Sequence, residues 1–382
     1  MIPYGRQDIQ QADIDAILDV LKSDFLTQGP CVSAFEAKLA AHVGARHAVA
    51  ANSATSALHI ACLALGLGQG DLLWTSPITF VASANVALFC GADVDFVDID
   101  PDTFTMCTEA LSSKLADAKK IGLLPKVVMP VAMCGQSCDM EIIRALADEY
   151  GFKILEDASH AIGGRYQREF IGDGRYADIS VFSFHPVKII TTGEGGMAVT
   201  NHSDLAQKME LLRSHGVTRN SDFFIGESHG PWYYQQIDLG FNYRLTEIQA
   251  ALGISQLDRL DDYVTARVKR AAEYDQALSD LPLDLPHQRS NTASSWHLYV
   301  IRVKQPVHRL NLFNELRKHG IGVNIHYIPV HTHPYYQSLG FRAGDFPISE
   351  DYYSRAISIP LYATITDEQH AKVITTLEKH LK

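Results

Sequence analysis

Helical and strand patterns of apolar residues alternate along the chain from about residue 32 to residue 200. Apolar residues at helical spacing, closed by Gly44, predict a helix in "VSAFEAKLAAHVG". Further helices are predicted in "SATSALHIACLAL", "FVASANVALFCG" and "MEIIRALADEYG". Strands are predicted in "HAVAA", "DLLWTS", "DVDFVDID", "KVVMPVAM", "FKILEDA", "DISVFSF" and "GGMAVT". This order predicts an α/β fold in which a mostly parallel central sheet lies between helices.

The pattern changes after about residue 244. A helical pattern of 37 residues runs from Leu245 to Leu281, which is long for one globular helix, so we expect it to bend or to span a domain boundary. It is followed by predicted strands in "WHLYVIRV" and "GVNIHYIP" and by predicted helices in "RLNLFNELRKHG" and "TDEQHAKVITTLEKHL". We therefore predict a large domain over residues 1–244 and a smaller C-terminal α+β domain over residues 245–382.

Composition and charge narrow the class of protein. Hydrophobic residues make up 46% of the chain and charged residues 20%, as in soluble globular proteins. The net charge of −11 and the lack of a basic run argue against nucleic acid as a partner. No apolar run reaches the roughly 18 residues that a membrane helix needs, and the polar first residues lack the core of a signal peptide. We expect a cytoplasmic protein with no membrane partner. The six scattered cysteines form no Cys-x-x-Cys pair, which argues against a disulfide framework or a zinc ribbon.

A lone lysine, Lys188, stands in "SFHPVKIITTGEGG", between a predicted strand and a glycine-rich turn. Taken alone, it is most simply explained as a strand-end residue whose amine reaches solvent. Other polar or aromatic residues also lie where predicted strands give way to loops or helices, namely Asp157, His160, Ser183, Thr55, Ser56 and Phe80. Ligands of parallel sheets bind beyond the carboxyl ends of the strands, so we expect these side chains to share one cleft.

This set of side chains meets the chemical needs of pyridoxal phosphate. The cofactor's aldehyde needs a lysine for a Schiff base, and its pyridine nitrogen needs a carboxylate. Its phosphate needs hydroxyl and amide groups at a helix N-terminus, and its ring needs an aromatic partner. These roles are filled in turn by Lys188, by Asp157, by the hydroxyl groups of Thr55, Ser56 and Ser183, and by Phe80.

Each of these residues also has an ordinary structural explanation. Asp157 could cap a helix, and Thr55 and Ser56 could simply start one. Phe80 could be a core residue, and His160 a partly buried histidine with a polar partner. The interpretation therefore rests on the combination and not on any one position.

The order of motifs resembles that of the DegT-like sugar aminotransferases, which are fold-type I pyridoxal phosphate enzymes acting on nucleotide-linked sugars. The resemblance covers nearly the whole chain. It is carried by "LTQGP" (26–30), "NSATSALHIA" (52–61), "ITFVASAN" (78–85), "FVDIDP" (96–101), "EDASHAIGG" (156–164), "SFHPVKIITTGEGG" (183–196), "GFNYRLTEIQAALGISQL" (240–257) and "HYIPVHTHPYY" (326–336). One segment departs from the family pattern, because "AMCGQSCDM" lacks the usual histidine or tyrosine before Gly-Gln.

The resemblance implies a role for each matching residue. Lys188 would form the Schiff base, Asp157 would pair with the pyridine nitrogen, and His160 would lie near the ring. The phosphate would be held by Thr55, Ser56 and Ser183, with Phe80 stacked on the ring. Asn242 would reach the phosphate in the neighbouring subunit, which implies a homodimer with shared active sites.

The stretches "PYGRQDI" and "SFHPVKIITTGEGG" most resemble the family branch of pseudaminic-acid biosynthesis. That resemblance implies transfer of an amino group from L-glutamate to the C4 ketone of a UDP-linked 4-keto-6-deoxy-N-acetylaltrosamine. The implied substrate-binding residues are Tyr4, Arg6, Thr27, Arg244, His326, Tyr327 and His331. A metal site at the histidines of "HYIPVHTHPYY" is disfavoured, because no Asp, Glu or Cys joins them in that segment, so no metal is predicted.

Several alternatives stay open at this point. The chain could act on another nucleotide-linked keto sugar, or could be a lyase, a racemase or a dehydratase that uses the same cofactor. Relatives that act as dehydratases carry histidine at the lysine position, so Lys188 disfavours that branch. A non-catalytic regulator that binds pyridoxal phosphate is a further alternative. A nicotinamide enzyme is set aside, because the cluster "GLGQGD" precedes a predicted strand instead of following one.

Overall fold

A computed structural model describes residues 1–382. Its strands are β1 (His47–Ala51), β2 (Leu72–Thr75), β3 (Asp93–Phe96), β4 (Val127–Met129), β5 (Lys153–Asp157), β6 (Arg165–Tyr166), β7 (Glu169–Phe170), β8 (Ile179–Ser183), β9 (Gly196–Thr200), β10 (Val217–Thr218), β11 (Gln235–Gln236), β12 (Leu283–Asp284), β13 (Thr292–Ala293), β14 (Tyr299–Val303) and β15 (Ala356–Ile359).

The helices are α1 (Gln11–Leu21), α2 (Pro30–Val43), α3 (Ala54–Ala64), α4 (Ala82–Phe89), α5 (Thr108–Ile121), α6 (Met140–Tyr150), α7 (Ser203–Arg213), α8 (Glu247–Leu257), α9 (Leu260–Leu278), α10 (Arg309–Lys318), α11 (Pro334–Ser338), α12 (Pro347–Arg355) and α13 (Asp367–Leu381). Three short 3-10 helices span Met133–Gly135, Ser221–Phe223 and Val330–Thr332.

Seven strands form the central sheet in the order β1-β9-β8-β5-β4-β2-β3. Neighbouring strands from β8 to β3 run parallel, whereas β9 is antiparallel to both β8 and β1. The predicted mostly parallel sheet is confirmed. Because β5 and β8 are parallel neighbours, with Asp157 paired to Val181, their carboxyl ends lie side by side.

Each strand of the central sheet sends alternate side chains to opposite faces. Val181 packs in the cluster that contains α3 residues such as Leu58, whereas its neighbour Phe182 packs in the cluster that contains Phe35 and Leu39 of α2. All five of these side chains are buried. Helices therefore cover both faces, and only the edges and ends of the strands are left for ligands.

Within residues 245–382, the antiparallel sheet β12-β14-β15 shares a core with α9, α10 and α13. Ile2, from the start of the chain, belongs to the same core and forms a bridge with Ile321. Leu245 and Tyr263 instead pack with the core of the central sheet. The division of the chain at residues 244/245 stays a prediction.

Of two predictions for residues 245–382, one is confirmed and one is wrong. The long helical pattern is indeed broken, because α8 ends at Leu257 and α9 begins at Leu260. The predicted strand in "GVNIHYIP" is wrong, because this extended stretch forms only an isolated bridge between Asn324 and Ser358 before it enters the cavity described below. An alternating apolar pattern cannot distinguish a paired strand from an extended cavity wall.

Five α-helices were not predicted, namely α1, α5, α7, α11 and α12. Helix α1 begins where the Asp13 carboxylate accepts a 2.9 Å hydrogen bond from the Gln10 backbone N–H, so its start is fixed by a polar contact and not by an apolar stripe. None of the helices is both long enough and apolar enough to cross a membrane.

Candidate active site

A cavity of about 1020 Å³ opens beyond the carboxyl ends of β5 and β8. The edge of a parallel sheet where strands end is the usual ligand position in such folds. Ten of the fifteen predicted site residues line this cavity, and they are Tyr4, Thr55, Ser56, Phe80, Asp157, His160, Ser183, Lys188, His326 and Tyr327. The sequence motifs from distant parts of the chain therefore meet in one place.

Lys188 lies in the loop after β8, where its backbone N–H donates to the His185 carbonyl at 2.8 Å. Its side chain is only partly exposed, and that exposure faces the cavity. The loss of water around the amine lowers the pKa of Lys188 from 10.5 to about 8, although the negative charge of Asp157 acts in the opposite direction. An amine with this pKa is neutral often enough to act as a nucleophile or a base.

Asp157, the last residue of β5, lies on the cavity wall as a buried carboxylate. Its Oδ2 accepts a 2.6 Å hydrogen bond from the Ser83 hydroxyl, and its Oδ1 accepts one of 3.1 Å from the Ser159 backbone N–H. No helix begins at this position, so the helix-cap explanation of Asp157 is wrong. The two donors fix the carboxylate in one orientation.

Ser83 is a site residue that the sequence analysis missed. It lies inside the quoted motif "ITFVASAN", and its hydroxyl is 2.7 Å from that of Thr79. Two hydroxyl residues four apart, at the start of a largely apolar predicted helix, are the signal that could have identified it.

Three histidine rings lie close to Lys188. The ring centroids of His160 and His297 are 4.3 Å apart, and His160 Nε2 lies 3.1 Å from the Tyr327 hydroxyl. His326 Nδ1 lies 2.7 Å from the Ser358 hydroxyl. Burial lowers the pKa of His160 and of His297 well below the usual value and that of His326 to about 4, and the charge of Lys188 acts in the same direction. All three rings are therefore neutral at physiological pH.

His297 is the second missed residue, because it stands in the apolar stretch "WHLYVIRV" and reads as part of a strand. Its position is held by Arg267, a buried residue of α9. Arg267 Nη1 donates to the backbone carbonyls of Trp296, His297 and Leu361 at 3.2, 3.3 and 2.9 Å. Residues 245–382 thus supply His297 to the cavity wall, in addition to His326 and Tyr327.

The N-terminus of α3 forms a cradle at the cavity. Ser53 caps the helix by accepting from the Ser56 backbone N–H at 3.1 Å, and the earlier N–H groups have no partner within the helix. A Cβ atom on Gly196 would lie 2.4 Å from the backbone nitrogen of Ala54, so only glycine lets β9 approach this helix end so closely. Such an end attracts anions.

These residues fit pyridoxal phosphate. The helix end with Thr55 and Ser56 suits the phosphate, and Phe80, which is 58% exposed at the cavity, offers an aromatic face. Asp157 presents an oriented carboxylate to the same space, and Lys188 presents an amine of lowered pKa.

Five predicted residues do not line the cavity of this chain. Arg6 and Thr27 are exposed, with Thr27 in a bridge to Thr246. Arg244 donates to the Ser214 hydroxyl at 3.2 Å. Asn242 is also exposed, although its carbonyl lies 3.4 Å from the Asn52 side-chain nitrogen, and Asn52 itself lines the cavity.

The fifth of these residues, His331, is fully buried between the rings of Phe96 and Phe346. Its Nε2 lies 2.9 Å from the Glu350 carboxylate. These contacts give His331 a structural role in the chain as it stands.

The chain matches the model of the DegT/DnrJ/EryC1/StrS aminotransferase family over residues 7–378. Members of this family use pyridoxal phosphate, and solved relatives include PLP and PMP forms. The cofactor predicted from the sequence is confirmed.

Individual relatives match over nearly their whole length. The spore coat polysaccharide biosynthesis protein SpsC of Bacillus subtilis is 38% identical, with 100% of this chain and 97% of the relative covered. A UDP-4-amino-4,6-dideoxy-N-acetyl-beta-L-altrosamine transaminase of Campylobacter jejuni is 37% identical, with 95% and 93% covered. The solved structure of Helicobacter pylori PseC, an aminotransferase of pseudoaminic acid biosynthesis, matches with a TM-score of 0.91 and 34% identity, covering 100% of this chain and 99% of that one.

Proposed function

The chain belongs to the DegT/DnrJ/EryC1/StrS aminotransferase family, and we propose that it transfers an amino group from L-glutamate to a UDP-linked 4-keto-6-deoxy-N-acetylhexosamine. The acceptor would be the C4 ketone of the pseudaminic acid precursor, and the product UDP-4-amino-4,6-dideoxy-N-acetyl-altrosamine. The observation that carries this proposal is the full-length similarity to PseC in both sequence and structure. The enzyme is an aminotransferase, so the non-catalytic alternative is set aside.

Pyridoxal phosphate, when bound, supplies a carbonyl group that carries nitrogen and a ring that stores an electron pair. In this proposal the Lys188 amine binds the cofactor covalently between turnovers, and its Nζ accepts and returns a proton while the substrates are bound. With a pKa of about 8, about a quarter of this amine is neutral at pH 7.5. At the ordinary pKa of 10.5 the neutral fraction would be about 0.1%.

The other cavity residues would orient the ring of the cofactor and hold its phosphate group. Asp157, kept in place by Ser83 and the Ser159 N–H, stabilises positive charge on the nitrogen of the cofactor ring. His160 lines the same cavity as a neutral ring. The helix end with Thr55 and Ser56, together with the Ser183 hydroxyl, would bind the phosphate without any net positive charge.

Contacts to the sugar nucleotide are proposed for Tyr4, His326 and Tyr327, because all three line the cavity. Arg6, Thr27, Arg244 and Asn242 lie outside it and would act across a dimer interface. We propose a homodimer on this basis. Substrate binding by His331 stays a prediction, and the full burial of this side chain argues against a direct contact with the sugar nucleotide.

A second candidate substrate is another nucleotide-linked keto sugar. SpsC, a relative named for the biosynthesis of a spore coat polysaccharide, is as similar to this chain as the altrosamine transaminase. The two relatives therefore support two different acceptor sugars equally well by sequence identity. The cytoplasmic location also stays a prediction.

The test is an amination assay on a panel of UDP- and dTDP-linked 4-keto sugars with L-glutamate as donor. We expect 2-oxoglutarate and a 4-amino sugar in equal amounts, with the altro-configured UDP sugar as the best acceptor. Lys188→Ala should bind the cofactor without covalent attachment and show no turnover. A better rate with a dTDP sugar would replace the proposed substrate, whereas full turnover by Lys188→Ala would refute the proposed role of the lysine.

A further inference from the structure

Two helices of the small domain bring a glutamate and two histidines together at the surface. Glu315 lies in α10, and His319 follows one turn later as the C-cap residue of that helix. His380 lies in the last turn of α13. One ligand atom from each residue can be chosen so that all lie within 4.8 Å of one another, and all three side chains are partly exposed. No metal is predicted for the chain from its sequence, and the only histidines weighed there as ligands, those of residues 326–336, are different residues.

The two oxygens of the Glu315 carboxylate face different partners. Its Oε2 lies 4.0 Å from His319 Nδ1 and 4.0 Å from His380 Nε2, whereas its Oε1 lies 3.5 Å from the Lys318 amine. The two imidazole centroids are 5.0 Å apart, with the planes at 66°. Oε2 is thus turned toward both imidazole rings, while Oε1 forms an ion pair with Lys318.

The hydrogen bonds of the two rings leave lone pairs free. His319 Nδ1 lies 2.9 Å from the backbone carbonyl of Glu315, to which it must donate, so its Nε2 carries the lone pair. His380 Nε2 is shielded from solvent and has no hydrogen-bond partner. An unpaired buried nitrogen is costly unless another group satisfies it. A histidine whose second nitrogen binds a backbone carbonyl is the usual arrangement of a metal ligand.

We propose that Glu315, His319 and His380 form a Zn²⁺ site that joins α10 to the C-terminal helix α13. Two imidazoles and one carboxylate, with water in the fourth position, are an ordinary zinc ligand set. Zinc–ligand bonds of about 2.1 Å place tetrahedral ligand atoms about 3.4 Å apart, so a set of ligand atoms within 4.8 Å of one another can close on the ion by side-chain rotations. Mg²⁺ and Ca²⁺ prefer oxygen ligands and would bind poorly.

The test uses the tag-free, full-length holoenzyme after treatment with a chelator. Titration calorimetry with ZnCl₂ should show one ion bound per chain, with a dissociation constant in the micromolar range, and MgCl₂ should give no heat. His319→Ala, His380→Ala and Glu315→Gln should each weaken the binding of Zn²⁺ at least about tenfold, because each removes one of three ligands. His202→Ala, an exposed histidine at the start of α7, is the matched control and should bind as the wild type does.

A second measurement guards against misfolded variants. Zn²⁺ should raise the thermal midpoint of the wild type and of His202→Ala but not that of His380→Ala or of His380→Gln, which keeps a polar side chain at this position. Binding of Co²⁺ should give the visible absorbance of a tetrahedral site in the wild type and in His202→Ala but not in the two His380 variants. Equal Zn²⁺ affinity in the wild type and in a well-folded His380→Gln would overturn the proposal, as would an equal loss in His202→Ala.

Discussion

At the scale of single residues, two opposing effects of its surroundings set the charge of the Lys188 amine. Loss of water around the amine favours the neutral form, and the nearby Asp157 carboxylate favours the charged form. The first effect is larger, and the pKa falls to about 8. The reactivity of this lysine should therefore follow pH over a lower range than that of a surface lysine.

The prediction concerns the capture of pyridoxal phosphate by the apoenzyme. Only the neutral amine attacks the aldehyde, so the rate of covalent attachment should rise about tenfold per pH unit below pH 8 and become constant above it. The measurement is the absorbance of the bound cofactor against time between pH about 6 and about 10. N-acetyl-lysine methylamide is the control, with a rate that keeps rising toward pH 10. A protein rate that follows the control would contradict the lowered pKa.

The hydroxyl of Ser83 offers a second prediction at this scale, because it gives Asp157 a short charged hydrogen bond. Such bonds contribute about 1.5–3 kcal/mol, so Ser83→Ala should weaken cofactor binding roughly tenfold or more. Equilibrium dialysis measures the dissociation constant of pyridoxal phosphate in the wild type and in the variant. Ser338→Ala removes an exposed hydroxyl on α11 and should have no effect. Unchanged affinity in Ser83→Ala, with weak binding in Asp157→Ala, would show that the serine does not position the carboxylate.

At the scale of elements, α2 depends on a residue from another helix. Its N-cap is Gly29, which has no side chain, and no local residue caps it. The buried carboxylate of Glu247, at the start of α8, accepts hydrogen bonds from the backbone N–H groups of Cys31 at 2.6 Å and Val32 at 3.2 Å. A carboxylate at a helix N-terminus is favoured by the helix dipole as well as by the hydrogen bonds.

We therefore expect Glu247→Ala to lower the free energy of unfolding by about 2–3 kcal/mol, since two backbone N–H donors lose a charged acceptor. Thr366→Ala, which removes the local cap of α13, should cost only about 1 kcal/mol. Urea denaturation of the holoenzyme at fixed protein concentration, followed by circular dichroism, compares the two. Equal losses would mean that the Glu247 carboxylate contributes no more than an ordinary cap.

The elements also show how far the sequence could lead. The strands β5 and β8 and the helix α3 were predictable because apolar periodicity, glycine stops and polar ends agreed there, and this placed Lys188 and Asp157 at one sheet edge. His297 was not predictable, because it lies beside an apolar strand and reaches the cavity only through domain packing held by Arg267. His331 shows the converse, because the resemblance implied that it binds substrate, whereas the folded chain buries it against Phe96.

At the scale of the whole molecule, a segment between α7 and α8 exposes large apolar side chains. Ile225 is 84% exposed, Leu239 77% and Trp232 73%. Apolar surface of this kind, clustered in one segment, is typical of a protein–protein contact. The segment leads directly to Asn242, which is exposed outside the cavity of its own chain. Both features agree with the proposed homodimer, in which this segment would extend over the partner.

Mixing two inactive variants tests whether the sites are shared. Lys188→Ala lacks the amine, and Asn242→Ala lacks the side chain proposed to act in the neighbouring site. In a mixed dimer one site combines the intact lysine of one subunit with the intact asparagine of the other, while the second site lacks both. Random exchange of equal amounts makes half of the dimers mixed, so about a quarter of the wild-type activity should return. If both groups instead acted within one chain, no intact site could form by mixing, and the activity would stay at the level of the separate variants.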